Sequence, residues 1–411
     1  MAPAGWCVRA ALPRLDAANT IGEPRVLTVA RAVEFCEDHP SCAGFAVPAA
    51  APRVARCVFF RDAKVLCSPN ASMVAFVRCE EGVAARSEPP PRVTLTTQLS
   101  ADRLEALEEL SRRWRGPIVA AVLARAGEPP PALAGSPAHV RLLSFASPRR
   151  GEQTYPINQL RNAALRAART PLVFLCDVDL LPSADLEAEL AAVPAAYWAT
   201  PRLAVVVAAF ATTSDALLPD GAAALRACVA AGTCTAFKGG PGIVPGQQLS
   251  TNYRRWWSEN PEGRALPHRI PCFDTAKYEP YLVVRANATP NFDERFDGYG
   301  KNKVQFVQGL RGAGWTFWVL PRAFVIHAPH SLSAAGSQWQ HSRTGEHKAR
   351  MDRLFEQQLA DARFAGGHGD GGGCEASTPF CERPLNQVMD MLLPPRAGEP
   401  LRAAQPVHIR A

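Results

Sequence analysis

From residue 93 to residue 176 short apolar runs alternate with stretches of helical period, and few folds accommodate that alternation. Val93-Thr-Leu-Thr-Thr97, Pro117-Ile-Val-Ala-Ala-Val-Leu123 and His139-Val-Arg-Leu-Leu-Ser-Phe145 have the length and aliphatic content of strands. Between the first two, Leu104, Leu107 and Leu110 recur at helical spacing as far as Trp114, with Ser100 or Asp102 as the expected cap. Asn158 to Arg169 reads as a second helix, which delivers the chain into Leu172–Cys176, a continuous apolar run of the kind buried on both faces of a sheet. Strands separated by helices predict an α/β fold: a mostly parallel sheet with helices on both faces. Further strands are expected at 200–211, 279–284, 317–319 and 324–327, and further helices at 220–232, 304–310 and 339–364.

The Leu172–Cys176 strand ends in two carboxylates one residue apart, Asp177 and Asp179. In open α/β sheets ligands bind at the carboxyl ends of strands. Two hard oxygen donors there suit a divalent cation, and the cation in turn suits a diphosphate. That is the chemistry required to transfer a sugar from a nucleotide.

Twelve cysteines bound the compartment. Six of them, at positions 7, 36, 42, 57, 67 and 79, crowd the N-terminus with no Cys-x-x-Cys pair among them, so a disulfide framework is favoured over zinc. The sequons Asn70-Ala-Ser72 and Asn287-Ala-Thr289 agree with a secretory-pathway lumen, the Golgi included. No apolar run is long enough to cross a bilayer, and the first 30 residues lack the apolar centre of a signal peptide, so no membrane anchor is visible and a lumenal piece of a longer chain is expected. The positive charges are almost all arginine and form no dense block with aromatics, which excludes nucleic acid as a partner. Four units follow: a cysteine-rich module at 1–80, a proline-rich linker at 81–92, the α/β domain at 93–335, and a C-terminal helix with a flexible tail at 336–411. Cys374 and Cys381, in that tail, are close enough in sequence to pair locally.

Several longer motifs surround the two aspartates. They are Val93-Thr-Leu-Thr-Thr-Gln-Leu-Ser-Ala-Asp-Arg-Leu104 with Trp114-Arg-Gly-Pro-Ile118, Tyr155-Pro-Ile-Asn-Gln-Leu-Arg-Asn162, Tyr278-Glu-Pro-Tyr281, Phe292-Asp-Glu-Arg-Phe296, Gly298-Tyr-Gly-Lys-Asn-Lys303 and Val325-Ile-His-Ala-Pro-His330. In this order, over about residues 92–335, they resemble the LARGE-type glycosyltransferases of glycosyltransferase family 49. At the N-terminus, Ala32-Val-Glu-Phe-Cys36, His39-Pro-Ser-Cys42-Ala-Gly-Phe45 and Cys57-Val-Phe-Phe60 resemble the PAN/apple module.

The first resemblance implies a GT-A fold and a manganese-dependent, inverting transfer from a UDP-sugar (glucuronate, xylose or a related hexose) to a glycan or glycoprotein acceptor. It implies metal ligands among Asp177 and Asp179, with His327 as the expected third ligand because it ends a strand, and His330 as the second choice. Thr97 and Gln98 end the first strand where the nucleotide is expected, and Arg161 and Asn162 precede the metal strand, Arg161 as a fork donor to phosphate. The general base is expected among Asp293, Glu294 and Asp297, Asp293 first, with Glu279 a further candidate. The sequence departs from the family at Gly246-Gln-Gln248, where a Gly-His is expected. That departure bears on which sugar is used more than on the transfer. The alternative from another class is a catalytically silent glycan-binding protein.

Overall fold

The computed structural model describes residues 92–331, apart from 125–130, 136, 147–154, 201, 214–217, 239–245, 259–265 and 299, together with 345–360 and 378–383. Ahead of residue 92 it describes six elements: β1 (Trp6–Arg9), β2 (Arg25–Leu27), α1 (Val29–Asp38), β3 (Gly44–Pro48), β4 (Ala55–Phe60) and β5 (Met73–Arg78). Residues 81–91 of the expected linker, Asn70, Cys374 and the glycine run 366–373 lie outside the described residues.

The N-terminal strands form a five-stranded antiparallel sheet in the order β1-β5-β3-β4-β2. α1 turns Ala32 and Cys36 inward, four residues apart on one face, and Cys36 is disulfide-bonded.

The α/β domain opens with β6 (Val93–Ser100), α2 (Leu104–Arg113), β7 (Ile118–Ala124), β8 (Val140–Ala146), α3 (Ile157–Ala167) and β9 (Leu172–Leu175). There follow β10 (Leu180–Pro182), α4 (Leu186–Ala192), α5 (Ala195–Ala199), β11 (Leu203–Thr212), α6 (Ala222–Ala230) and β12 (Cys234–Ala236). Next come α7 (Tyr253–Ser258), β13 (His268–Arg269), β14 (Tyr281–Arg285), α8 (Asn302–Gly312), β15 (Thr316–His327) and α9 (Gly345–Ala360).

The main sheet runs β10-β15-β11-β14-β9-β6-β7-β8, with β12 beside β11 and β13 beside β15. Pairings β9–β6, β6–β7, β7–β8 and β11–β15 are parallel. Two antiparallel intrusions matter for the site: β14 between β11 and β9, and β10 on the edge of β15.

β7 shows how the sheet is covered. Ile118, Ala120 and Val122 face a core shared with Leu107 and Leu110 of α2, whereas Val119 and Ala121 face Leu160 and Ala164 of α3. Alternate residues thus go to opposite helices, the two-sided burial expected of a parallel sheet. β11 is buried along nearly its whole length for the same reason.

Three expectations are corrected. No side chain caps α2: the Ser100 hydroxyl donates to Asp102 instead, and a short 3₁₀ turn, Ala101–Arg103, precedes the helix. The two strands expected at 317–319 and 324–327 are one, β15, whose register against β11 shifts between Val206 and Ala208 and whose Arg322 has φ 67°. Cys381 pairs with Cys272, 109 residues away, rather than with Cys374. A second disulfide joins Cys228 to Cys234.

α9 lays Met351 and Phe355 on Phe296 and Val304. Its ion pairs, Arg350 to Asp297 at 2.7 Å and Lys301 to Asp352 at 3.4 Å, are partly exposed and contribute at most about 1 kcal/mol each. Burying two large apolar side chains contributes about 1.5–3 kcal/mol each, so packing rather than charge holds α9.

Gly116 is fixed by close approach. A Cβ there would stand 2.9 Å from Trp114 Nε1, 3.1 Å from the Val93 carbonyl oxygen and 3.2 Å from Glu187 Oε2. Two of these neighbours, a buried indole and strand backbone, cannot yield cheaply. Gly116→Ala should therefore lower stability by about 1–3 kcal/mol, read as a shift of the urea midpoint at unchanged slope.

Candidate active site

Asp177 lies just beyond β9, where the ends of several elements converge. β14 runs antiparallel to β9 with Leu282 opposite Leu175, which brings Tyr281 level with the residues following the strand. The Tyr281 hydroxyl donates to Asp177 Oδ2 at 3.1 Å. Lys303, at the start of α8, donates to the same oxygen at 2.6 Å, and Arg161 of α3 donates to Oδ1 at 3.1 Å. Burial alone would raise the Asp177 carboxyl; Lys303 and then Arg161 outweigh it and hold it at about 2. Burial would likewise deprotonate Lys303, but Asp177 and Glu279 keep its ammonium charged and raise it. Tyr281 is pushed well up by burial and by Asp177, so it remains a neutral donor.

Asp179 takes different partners. β10 begins one residue later and pairs with β15, Leu180 opposite His327. That register sets Asp179 Oδ2 3.5 Å from His327 Nε2 and 3.1 Å from His330 Nε2, with the two imidazole nitrogens 3.1 Å apart. One ligand atom from each of the three residues lies within 4.8 Å of the others, the geometry of a metal-ligand cluster. Burial works against ionising Asp179, but hydrogen bonds from His327 and His330 prevail and hold it far below the carboxylate range. Asp179 in turn raises His330, against partial burial. His327 and His330, expected as first and second choices, both belong to this cluster. Asp177, expected with them, does not: its oxygens are taken by Arg161, Lys303 and Tyr281.

A pocket beside Asp177 is lined by Thr96, Thr97, Arg161, Cys176, Phe292 and Lys303, among others. The Thr97 hydroxyl, from a residue of that lining, is buried without a hydrogen-bond partner. The Gln98 amide oxygen accepts from Tyr155. Burial raises the Cys176 thiol well above its ordinary range. Asn162 is spent on structure: it exchanges hydrogen bonds with the Phe292 backbone at 2.7 and 2.9 Å and donates to Glu294 at 2.9 Å.

The carboxylates expected to include the base are occupied elsewhere. Asp293 chelates Arg295, with two contacts of 3.0 Å; partial burial opposes ionisation, but Arg295 prevails and lowers the carboxyl. Glu294 receives Asn162, and Asp297 receives Arg350 of α9. Glu279 is the carboxylate tied to the centre: buried, 3.6 Å from Lys303 and 3.4 Å from Lys238. Lys238 has a left-handed backbone, φ 58°, and follows Phe237, whose ring lies 5.2 Å from His327 and 6.1 Å from Tyr281. Gln248, at the family departure, is buried behind Glu279 and donates to its carbonyl oxygen at 3.0 Å. Lys303 and Tyr281 stood in the sequence motifs, but only the packing of α8 and β14 shows that both end on Asp177.

Residues 138–363 match the family model described as glycosyl-transferase for dystroglycan. The chain belongs to that family. The rat xylosyl- and glucuronyltransferase LARGE2 is 38% identical over 272 residues, 62% of this chain and 37% of the relative. Human xylosyl- and glucuronyltransferase LARGE1 is 34% identical over 248 residues, 59% of this chain and 32% of the relative. The chain therefore spans about a third of the length of the curated relatives it matches. Among solved structures, S. aureus TarS 1–349 in complex with UDP-GlcNAc aligns at 10% identity over 66% of this chain and 67% of that one, with a TM-score of 0.40. A Pyrobaculum calidifontis mannosyltransferase in complex with GDP-Man and Mn2+ aligns at 15% identity over 66% and 71%, with a TM-score of 0.32. Among the described residues, no helix of this family member is long and apolar enough to cross a membrane.

The two aspartates should separate by experiment. Asp177→Asn leaves two buried cations facing an amide and should cost about 2 kcal/mol, less than the full loss of a buried pair because the site is partly open. The folded Asp177 carboxyl lies below its ordinary value of 3.8. Its contribution is thus present above that value and lost as pH falls toward 2, so the acid limb of the stability profile should flatten in Asp177→Asn. Asp179→Asn removes a carboxyl held lower still and should flatten that limb as well, but at neutral pH it leaves imidazoles rather than two fixed cations facing an amide, so its melting temperature there should stay closer to wild type.

Proposed function

We propose that this protein is a metal-dependent glycosyltransferase that moves a sugar from a UDP-sugar to a glycan or glycoprotein acceptor with inversion. Membership of the family supports the reaction class. The observation that carries the site assignment is the division of labour between Asp177 and Asp179. A carboxylate and two imidazoles suit a divalent transition metal such as Mn2+. Asp179, His327 and His330 would hold the cation, which when bound would supply charge to stabilise the departing diphosphate.

The remaining chemistry belongs to the chain. Arg161 and Lys303 fix Asp177 and present positive charge to the same pocket, where phosphate oxygens develop negative charge. Thr97 offers its unpartnered hydroxyl to the nucleotide. Glu279 replaces Asp293, Glu294 and Asp297 as the preferred base for the acceptor hydroxyl, because those three are paired away from Lys303 and Asp177. Gln248 supports Glu279 from behind, so the family departure acts on the wall that meets the sugar. We read the donor as UDP-glucuronate, UDP-xylose or a related UDP-hexose. The setting is the Golgi or another secretory lumen, and the cysteine-rich N-terminal unit is a PAN/apple-like recognition module.

Two measurements test this. A panel of UDP-sugars with and without Mn2+ should give slow UDP release for one donor, abolished by chelation; glycan binding with no UDP release from any donor would favour the silent alternative. Manganese titration by calorimetry should show at least about tenfold weaker binding for both His327→Ala and His330→Ala. Because a proton on His330 competes with the metal, wild-type affinity should rise with pH past the ordinary imidazole value of 6.5. Unchanged affinity in both variants would sink the metal assignment.

A further inference from the structure

The C-terminal segment 378–383 lies against the far side of the loop that delivers Glu279. Phe273 donates its backbone N–H to the Pro379 carbonyl oxygen at 2.7 Å, and its own carbonyl receives the Cys381 N–H at 2.8 Å. On one side of Phe273 the Cys272–Cys381 disulfide closes the contact covalently. On the other, Arg383 donates to Asp274 at 3.2 Å, where the Asp274 side chain is 1% exposed. Three consecutive residues, 272 to 274, are thus held by a covalent bond, a two-bond backbone bridge and a buried ion pair.

The same segment reaches α8. Arg311, wholly buried, donates to the Thr378 carbonyl oxygen at 3.3 Å and to Gln308 Oε1 at 2.7 Å. Gln308 donates back to the Ala276 carbonyl oxygen at 3.0 Å, in the middle of the loop. The Thr378 hydroxyl donates to the Trp315 carbonyl at 3.4 Å. Past Ala276 the loop is locked from the site side: the Tyr278 and Thr251 hydroxyls pair at 2.9 Å, and the Glu279 N–H donates to Gln247 at 2.8 Å. The Phe273 ring packs on Tyr278 at 4.8 Å and joins the two sets of contacts.

We propose that residues 378–383 are a positioning strap for the active site: through the 272–279 loop they fix Glu279, and through Arg311 they brace the helix that carries Lys303. Arg383 is its positioning residue, acting through Asp274. The effect on turnover rests on the transferase reading above; the effect on the loop does not.

Full-length Cys272→Ser/Cys381→Ser, Arg383→Met and Arg383→Lys, each studied well below its melting temperature, test the strap by amide exchange and by steady-state kinetics. The first two should speed exchange at Tyr278 and Glu279 by about tenfold or more, with β7 amides unchanged. Their kcat should fall by about tenfold or more, with donor KM within about twofold, because a displaced catalytic wall loses rate before it loses donor binding. Arg383→Lys should recover much of both. Wild-type protection at Tyr278 and Glu279 in the variants overturns the strap, as does faster exchange with wild-type kcat. If the wild type turns over no donor, the transferase reading has failed, and exchange alone decides the strap. If the double serine variant does not fold, the Arg383 pair decides it.

Discussion

The buried carboxylate of Asp177 is the constraint on which the site depends. It stands just past β9 and is held by Arg161 of α3, Lys303 of α8 and Tyr281 of β14, three elements far apart in sequence. Removing one partner of a buried pair typically costs about 3–5 kcal/mol, because the remaining charge is left uncompensated. The helices that cover the sheet therefore cannot drift without exposing that cost. In the same arrangement Arg161 and Lys303 are desolvated and pre-oriented, as charge stabilisation in a transition state requires.

Two residues further on, the strand pairing changes the chemistry. Asp177 closes a parallel block, whereas Asp179 precedes β10, whose antiparallel register on β15 puts Leu180 opposite His327. The short Asp-Val-Asp motif therefore feeds two environments: a cationic one that keeps Asp177 ionised, and an imidazole one open to a metal. Glu279 completes the arrangement from the third side, coupled to Asp177 through Lys303 and braced from behind by Gln248.

Much of this was legible in the sequence. The Leu172–Cys176 run read as a buried strand, which Leu172–Leu175 forms, and the aspartates that follow it were expected at the ligand end of the sheet. His327 and His330 were singled out from a strand ending in a histidine, three residues before a second. What escaped was which partner each side chain takes in the fold. Asp293 looked like a base by position, but position in a motif does not reveal that Arg295, two residues on, chelates it. Asn162 looked available for a nucleotide, but the fold spends its amide on the Phe292 backbone. Cys381 had a cysteine seven residues away and paired instead with Cys272, because strand-like pairing between Phe273 and Phe380 aligns the chains there. Residues 317–319 and 324–327 read as two strands; an irregular register lets one strand run through the residues between them.

The measurement that bears most directly on the divided aspartates is a crystal structure with Mn2+ and UDP, with anomalous scattering collected at the manganese edge. The account predicts one anomalous peak bonded to Asp179, His327 and His330 together, with Arg161 and Lys303 still in contact with Asp177. A peak bonded to Asp177 and remote from both histidines would contradict it.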